Sequence, residues 1–373
     1  MNYPQRAFCS LFLSFPFLVF AQEASVPAGP PAQSEPAPAS QAPEPALRPA
    51  PMPPGSEGRI HLDVLVTDKS GKPVTGLDAK DFTLLDNGHP GKVLSFRAFE
   101  GSPAKPNPPV EVILLIDTVN LPFSRVAVER QLIEKFLREN GGHLAQPVSI
   151  YILTNEGVEG QTQPAVDGNA LAGAFDRVDR RLRTIGRGTG AWGAIERFEQ
   201  ALQTISAIAE EGAKMPRRKL LIWVGPGWPM LSGMNIQTST KGQRRLFDSI
   251  VGVSTKLREA RIAVYSVSLE DFSSSAKPFY YEDFLKGVKT AEKAIAPDLG
   301  LKVLAVQSGG RAMVPSNDLA GQIDACVQDA GAYYTISFDP PRADRANEYH
   351  DLKVLIGKPG LSARTNTGYY NQP

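Results

Sequence analysis

The sequence predicts an α/β protein: a doubly wound, mostly parallel sheet inserted into a small β-sandwich made of N- and C-terminal strands. Three observations predict it. Continuous apolar runs, "VILLI" (112–116), "LLIWV" (220–224) and "IAVYSV" (262–267), read as strands buried on both faces, the habit of a parallel sheet. Segments with helical spacing lie between them, so strands and helices alternate. Before residue 110 and after residue 331 the pattern turns to β-type runs, about three on each side, too few to bury an apolar face alone.

The chain of 373 residues is long enough for two ordinary domains, and 42 % hydrophobic with 21 % charged residues fits a globular protein. Forty basic and 39 acidic residues leave a net charge of +1, so no overall attraction draws it to nucleic acid or a membrane surface. At the N-terminus, Arg6 and the apolar run 7–21 read as an export signal cut after Ala21. The alternative, a membrane anchor, needs about 20 apolar residues, more than this run supplies. The mature chain is therefore expected in the periplasm or outside the cell, without membrane insertion. Cys9 leaves with the signal, so Cys326 stands alone and no internal disulfide forms.

Residues 22–57 carry eleven prolines between Pro27 and Pro54 and almost nothing to bury, which predicts an extended linker. Order begins near Arg59. "RIHLDVLVTD" places Ile60, Leu62, Val64 and Val66 on one strand face. "DFTLLDNGHPGKVLSFRAF" reads as two strands around an Asn87-Gly88 turn. Residues 58–109 thus form an N-terminal β segment, closed by the connector 100–109.

Residues 110–331 form the α/β unit. After "VEVILLID", residues 124–140 have helical spacing, with Ser124 as the cap and Gly141-Gly142 as the stop. "PVSIYILT" (147–154) is a strand, 168–182 and 191–211 are helices, and "RKLLIWVG" (218–225) is a strand. A helix then leads to the strand "RIAVYSVSL" (261–269). "PDLGLKVLAVQSGG" is a helix, "RAMVP" a short strand and "NDLAGQIDACVQDA" the last helix. On that helix Cys326 shares a face with Leu319, Ile323 and Val327, as a small core residue does. Residues 332–373 return to strands and are expected to pair with 58–109.

This order of elements resembles a von Willebrand factor type A domain. With "VLVTDKSGKPVTGLDAKDFTLLDNGHPGKVLSF" before it and "YYTISFDPP…HDLKVLIGKPGLSARTNTGYY" after it, the chain is similar over roughly residues 58–370 to the VWFA-related family of secreted bacterial proteins, common in acidobacteria. The resemblance implies a metal-ion-dependent adhesion site: D-x-S-x-S after the first strand, a Thr from a second loop and an Asp after a later strand, all hard oxygen donors suited to Mg²⁺. Only part of this carries over. Asp117 matches the first Asp and Thr189 the Thr, whereas Val119 and Leu121 stand in the two Ser positions and Gly225-Pro226-Gly227 where the late Asp belongs. Asn120 and Ser124 lie close by in sequence as substitute oxygens. The expectation is a degenerate site that works without metal, in which Asp117 caps its own loop; the alternative is that Asp117 and Thr189 retain Mg²⁺.

Enzymatic signals are missing. "GTGAWG" (188–193) matches G-x-G-x-x-G but follows no strand of a dinucleotide unit. No serine lies in G-x-S-x-G, and His61, His89, His143 and His350 have no metal-ligand spacing. The arginines of 176–188, with Arg217, Arg218, Lys219, Arg244 and Arg245, read as a solvated face or a patch for an acidic partner. The loop after "LLIWV" holds Gly225, Gly227, Trp228 and Met230 at the sheet's carboxyl edge, and Trp192 follows Thr189 on the same rim. Exposed, these residues would contact a protein partner; packed inward, they would seal the strand ends. The function expected is an exported protein-binding module, not an enzyme, without a cofactor. The alternative is an envelope assembly part with no discrete ligand.

Overall fold

The computed structural model describes residues 58–100, 110–121, 123–160, 163–179, 190–228, 239–269 and 279–373. The expected signal, the Pro-rich linker and most of the connector after Phe99 lie outside these residues. The first strands are β1 (Ile60–Thr67), β2 (Phe82–Asp86), β3 (His89–Gly91) and β4 (Ser95–Glu100). The middle of the chain forms β5 (Glu111–Asp117), α1 (Phe123–Arg138), β6 (His143–Thr154), β7 (Gly157–Gly160), β8 (Ala165–Asp167), α2 (Gly168–Asp179) and α3 (Gly190–Ala213). It continues through β9 (Lys219–Val224), α4 (Thr240–Glu259), β10 (Ile262–Val267), α5 (Leu301–Gln307), β11 (Arg311–Ala312) and α6 (Leu319–Val327). The last strands are β12 (Ala332–Phe338), β13 (Glu348–Ile356), β14 (Ser362–Arg364) and β15 (Gly368–Asn371).

The central sheet has the order β11-β10-β9-β5-β6-β7, with β8 also on β6. Its pairs from β11 to β6 are parallel, and β7 and β8 add an antiparallel edge. Side chains alternate across each strand, which divides the apolar runs between two cores. Val112, Leu114 and Ile116 join Leu220, Ile222 and Val224 against Ile133 and Leu137 of α1. Ile113 and Leu115 join Leu221 and Trp223 against Ile205 of α3 and Ile250 of α4. Continuous hydrophobicity in β5 and β9 therefore reflects helices on both faces. Cys326 is fully buried in the first of these cores.

Two antiparallel four-stranded sheets flank the central one, in the orders β14-β1-β12-β4 and β15-β13-β2-β3. Strands from before and after the α/β unit pair directly: Leu62 lies opposite Ile336, and Leu84 opposite Val354. Leu62, Val64, Phe82, Leu84, Ile336, Phe338, Leu352 and Tyr369 make a third apolar cluster drawn from both sheets.

The structure corrects several local readings. The Asn87-Gly88 hairpin forms, with both residues at positive φ (49° and 80°), but its second arm splits. β3 stays with β2, whereas β4 crosses to β12, where the Phe96 ring stacks on Tyr334 at 5.7 Å. α1 starts at Phe123, so Ser124 lies inside the helix rather than at its cap. β6 begins four residues earlier than expected, and β7 and β8 were not anticipated, because their short polar runs carry no apolar alternation. Among the described residues no helix is long and apolar enough to cross a membrane.

Candidate functional site

Doubly wound sheets place ligands where neighbouring strands send their chains to opposite faces, at the strands' carboxyl ends. Here that point lies between β5 and β9. β5 leads to α1 on one face, and β9 leads towards α4 on the other. Asp117 closes β5, and Gly225 follows β9.

Asp117 is fully buried. Its Oδ1 accepts the backbone N–H groups of Val119 and Asn120, both at 3.0 Å. Its Oδ2 accepts the Asn120 amide at 2.9 Å and the Trp223 indole N–H at 3.1 Å. Burial pushes the carboxyl's pKa above its ordinary value, and the hydrogen bonds from Asn120, Trp223 and Val119 oppose that rise. Four donors occupy the two oxygens, so neither is presented to an ion. Asn120 is itself buried, and its Oδ1 has no partner.

The other positions of the metal pattern fit no better. Val119 and Leu121 are buried hydrophobics, and Val119 packs in the core beneath α3 and α4. Gly225 has φ +138°, and a Cβ there would stand 2.8 Å from the Asp117 Cβ. A side-chain ligand at this position would need the β5 end to move aside. This donor set does not suit Mg²⁺, which requires several hard oxygens around an open position. Among the described residues, no group of three or more His, Cys, Asp or Glu is placed to hold a metal ion. Thr189 and Met230 lie outside the described residues.

Trp228, a candidate contact residue, takes the second of its two readings: it packs inward over the strand ends and is 4 % exposed. Its indole N–H donates to the Leu299 carbonyl at 3.1 Å, and its ring meets Trp223 edge-on at 5.0 Å. Gly227, at φ +75°, lets the chain pass against Leu301. The mouth of the switch point is thus filled by Trp223, Trp228 and the Asp117–Asn120 turn.

Trp192 behaves differently, with 84 % of its surface exposed. Gln200, two helical turns further along α3, donates its amide to the Thr154 carbonyl at the carboxyl end of β6. At 1.5 Å per residue, Trp192 therefore projects about 12 Å along α3 from that anchor, beyond the sheet's carboxyl edge. Among the expected contact residues that the structure describes, Trp192 has a free side-chain surface, whereas Asp117, Asn120 and Trp228 do not.

The basic run also departs from expectation. Arg218 and Lys219 are buried rather than solvated. The Lys219 ammonium donates to the carbonyls of Met215 (2.6 Å), Arg217 (2.8 Å) and Ala260 (3.2 Å), and burial pushes its pKa down to about 8. Side chains of Arg177, Arg180, Arg181, Arg183 and Arg187 lie outside the described residues.

No protein-family model matches this chain, and no curated protein matches it. Among solved structures it is similar to the human COPII-coat protein Sec24c, with 10 % sequence identity and a TM-score of 0.34, over 74 % of this chain and 44 % of that one. The chain thus spans less than half the length of that structure, and a likeness at this score carries no argument about fold or function.

Proposed function

We propose that the chain is an exported protein-interaction module of the von Willebrand factor type A-related kind, its α/β unit inserted into a β-sandwich built from both ends of the chain. In this reading the module engages its partner without a metal ion, at the carboxyl edge of the central sheet. The observation that carries the reading is Trp192. A tryptophan left 84 % exposed on a long helix, beside a switch point plugged by the protein's own side chains, offers a protein-contact anchor rather than a small-molecule cleft. The saturated oxygens of Asp117 support independence from metal.

The test is capture of secreted and periplasmic proteins on the immobilised chain, followed by affinity measurement with Trp192→Ala. A hot-spot tryptophan contributes about 2 kcal/mol or more, so one dominant partner should bind roughly 30-fold more weakly to the variant, with EDTA making no difference. Equal binding by parent and variant would remove Trp192 as the anchor. Self-association with no captured partner would favour an envelope assembly role.

A further inference from the structure

The amino edge of the central sheet, at the opposite end from Asp117, carries a second concentration of chemistry. His61 and Asp63 of β1, Arg218 just before β9, Arg258 near the end of α4 and Arg261 just before β10 line one cleft. Its enclosed part is small, about 20 Å³, and it opens to solvent at its mouth, where a bound group larger than a water would sit. Three guanidinium groups there face a single lining carboxylate.

Arg261 is fully engaged. It grips Asp63 through Nε (3.1 Å) and Nη2, and it also donates to Thr335 Oγ1 (3.1 Å) and the Pro216 carbonyl (3.0 Å). That pairing uses the carboxylate of the cleft. Arg218 is only 3 % exposed. Its Nη1 donates to the Asp329 carbonyl at 2.7 Å, its guanidinium lies 4.7 Å over the Tyr333 ring, and its Nε–H has no partner among the described residues. Arg364, Arg311 and Tyr265 converge on Oδ2 of Asp329, whereas Arg218 meets that residue at its backbone carbonyl. Arg258 is also largely buried, and among the described residues its ion pair is a 3.5 Å contact with the exposed Glu259. His61 adds a buried Nε2 without a partner.

A buried cation with an unmade hydrogen bond is costly, and an anion relieves both deficits at once. Guanidinium forks match tetrahedral oxyanions, each offering two parallel donors. The carboxyl ends of α4 and α5 reach this edge and bring about half a negative charge each, which offsets only part of the excess. We propose that this cleft binds a small tetrahedral oxyanion of the phosphate or sulfate class, held by Arg218 and Arg258 with His61 beside it. The site lies at the seam between the central sheet and β1, and it is independent of the interaction surface at Trp192.

Isothermal titration of the full chain with sodium phosphate and with sodium sulfate, against sodium chloride at matched ionic strength, tests this. Binding above the chloride control is expected, weakened at least tenfold in Arg258→Gln and in Arg218→Met. Arg258 lies nearer the surface, so its variant keeps the test open if the Arg218 variant fails to fold. Phosphoserine binding at least as tightly as phosphate would assign the cleft to a phosphorylated ligand, and preference for the inorganic ion would assign it to a free anion; both outcomes support the site. No binding above chloride, or unchanged binding in folded variants, would overturn it.

Discussion

The indole N–H of Trp223 donates to Oδ2 of Asp117 at 3.1 Å, joining two neighbouring parallel strands through their side chains inside the core. Removing the carboxylate would orphan that donor together with the Asn120 amide and two backbone N–H groups. Asp117→Ala should therefore destabilise the chain by about 3–5 kcal/mol, read from the urea midpoint. A loss below about 1 kcal/mol would show that the carboxylate does not organise this turn.

Metal should not alter stability. An ion at about 100 times its dissociation constant raises stability by roughly 2.7 kcal/mol, an easily read shift in the thermal midpoint. With Mg²⁺ or Mn²⁺ added after EDTA, the midpoint should stay where it was. A rise that vanishes in Asp117→Ala would return metal to the site.

Gly225→Ala tests how closely β9 approaches β5. The new Cβ would meet the Asp117 Cβ at 2.8 Å, in a backbone conformation with φ +138° that L side chains rarely adopt. A loss of about 2 kcal/mol or more is expected. Unchanged stability would mean that the strand ends separate freely.

Lys219 sets a pH dependence of unusual sign. Its folded pKa, about 8, lies below its ordinary 10.5, so between those values the unfolded chain holds the proton and the folded chain does not. Stability from this group should rise with pH across that window, by on the order of 2–3 kcal/mol. Above pH 10 the phenols of buried Tyr333 and half-buried Tyr349, pushed up to about 12, oppose the rise because the unfolded chain ionises first. Urea unfolding from pH 7.5 to 10 in the parent and in Lys219→Met checks this: the variant should lose the rise. An identical profile would clear Lys219 of the effect.

Trp192→Ala should leave stability within about 0.5 kcal/mol of the parent, because the ring touches little of the folded chain. A larger loss in thermal unfolding would mean that the ring packs against the protein in solution.

How far the sequence could be read depended on the range of the interactions. β5, β9 and β10 announce themselves as unbroken apolar runs, and α1 ends at Arg138, just before Asn140 and the expected stop glycine Gly141, both at positive φ. Val119 and Leu121, which stand where the metal pattern has serines, are both buried apolar residues. The fate of Trp228 was not legible, because its partner carbonyl at Leu299 is 71 residues away. Burial of Arg218 and Lys219 was equally hidden. A basic run normally marks a solvated surface, and only tertiary structure supplies the carbonyls of Ala260 and Asp329 that receive these cations.

The interleaving of early and late strands in both flanking sheets has a consequence for how the chain acquires its shape. Thr335 Oγ1 reaches Asp63 across 272 residues of sequence. β1 cannot find its neighbours β12 and β14, and β2 has only β3, until the end of the chain has been synthesised, so their apolar faces must wait through most of translation. Loop closure over such distances is slow, and exposed strand edges invite mispairing in the interval. The late strands thus govern when the two flanking sheets close as well as how they end: both stay open until nearly all of the chain has been made.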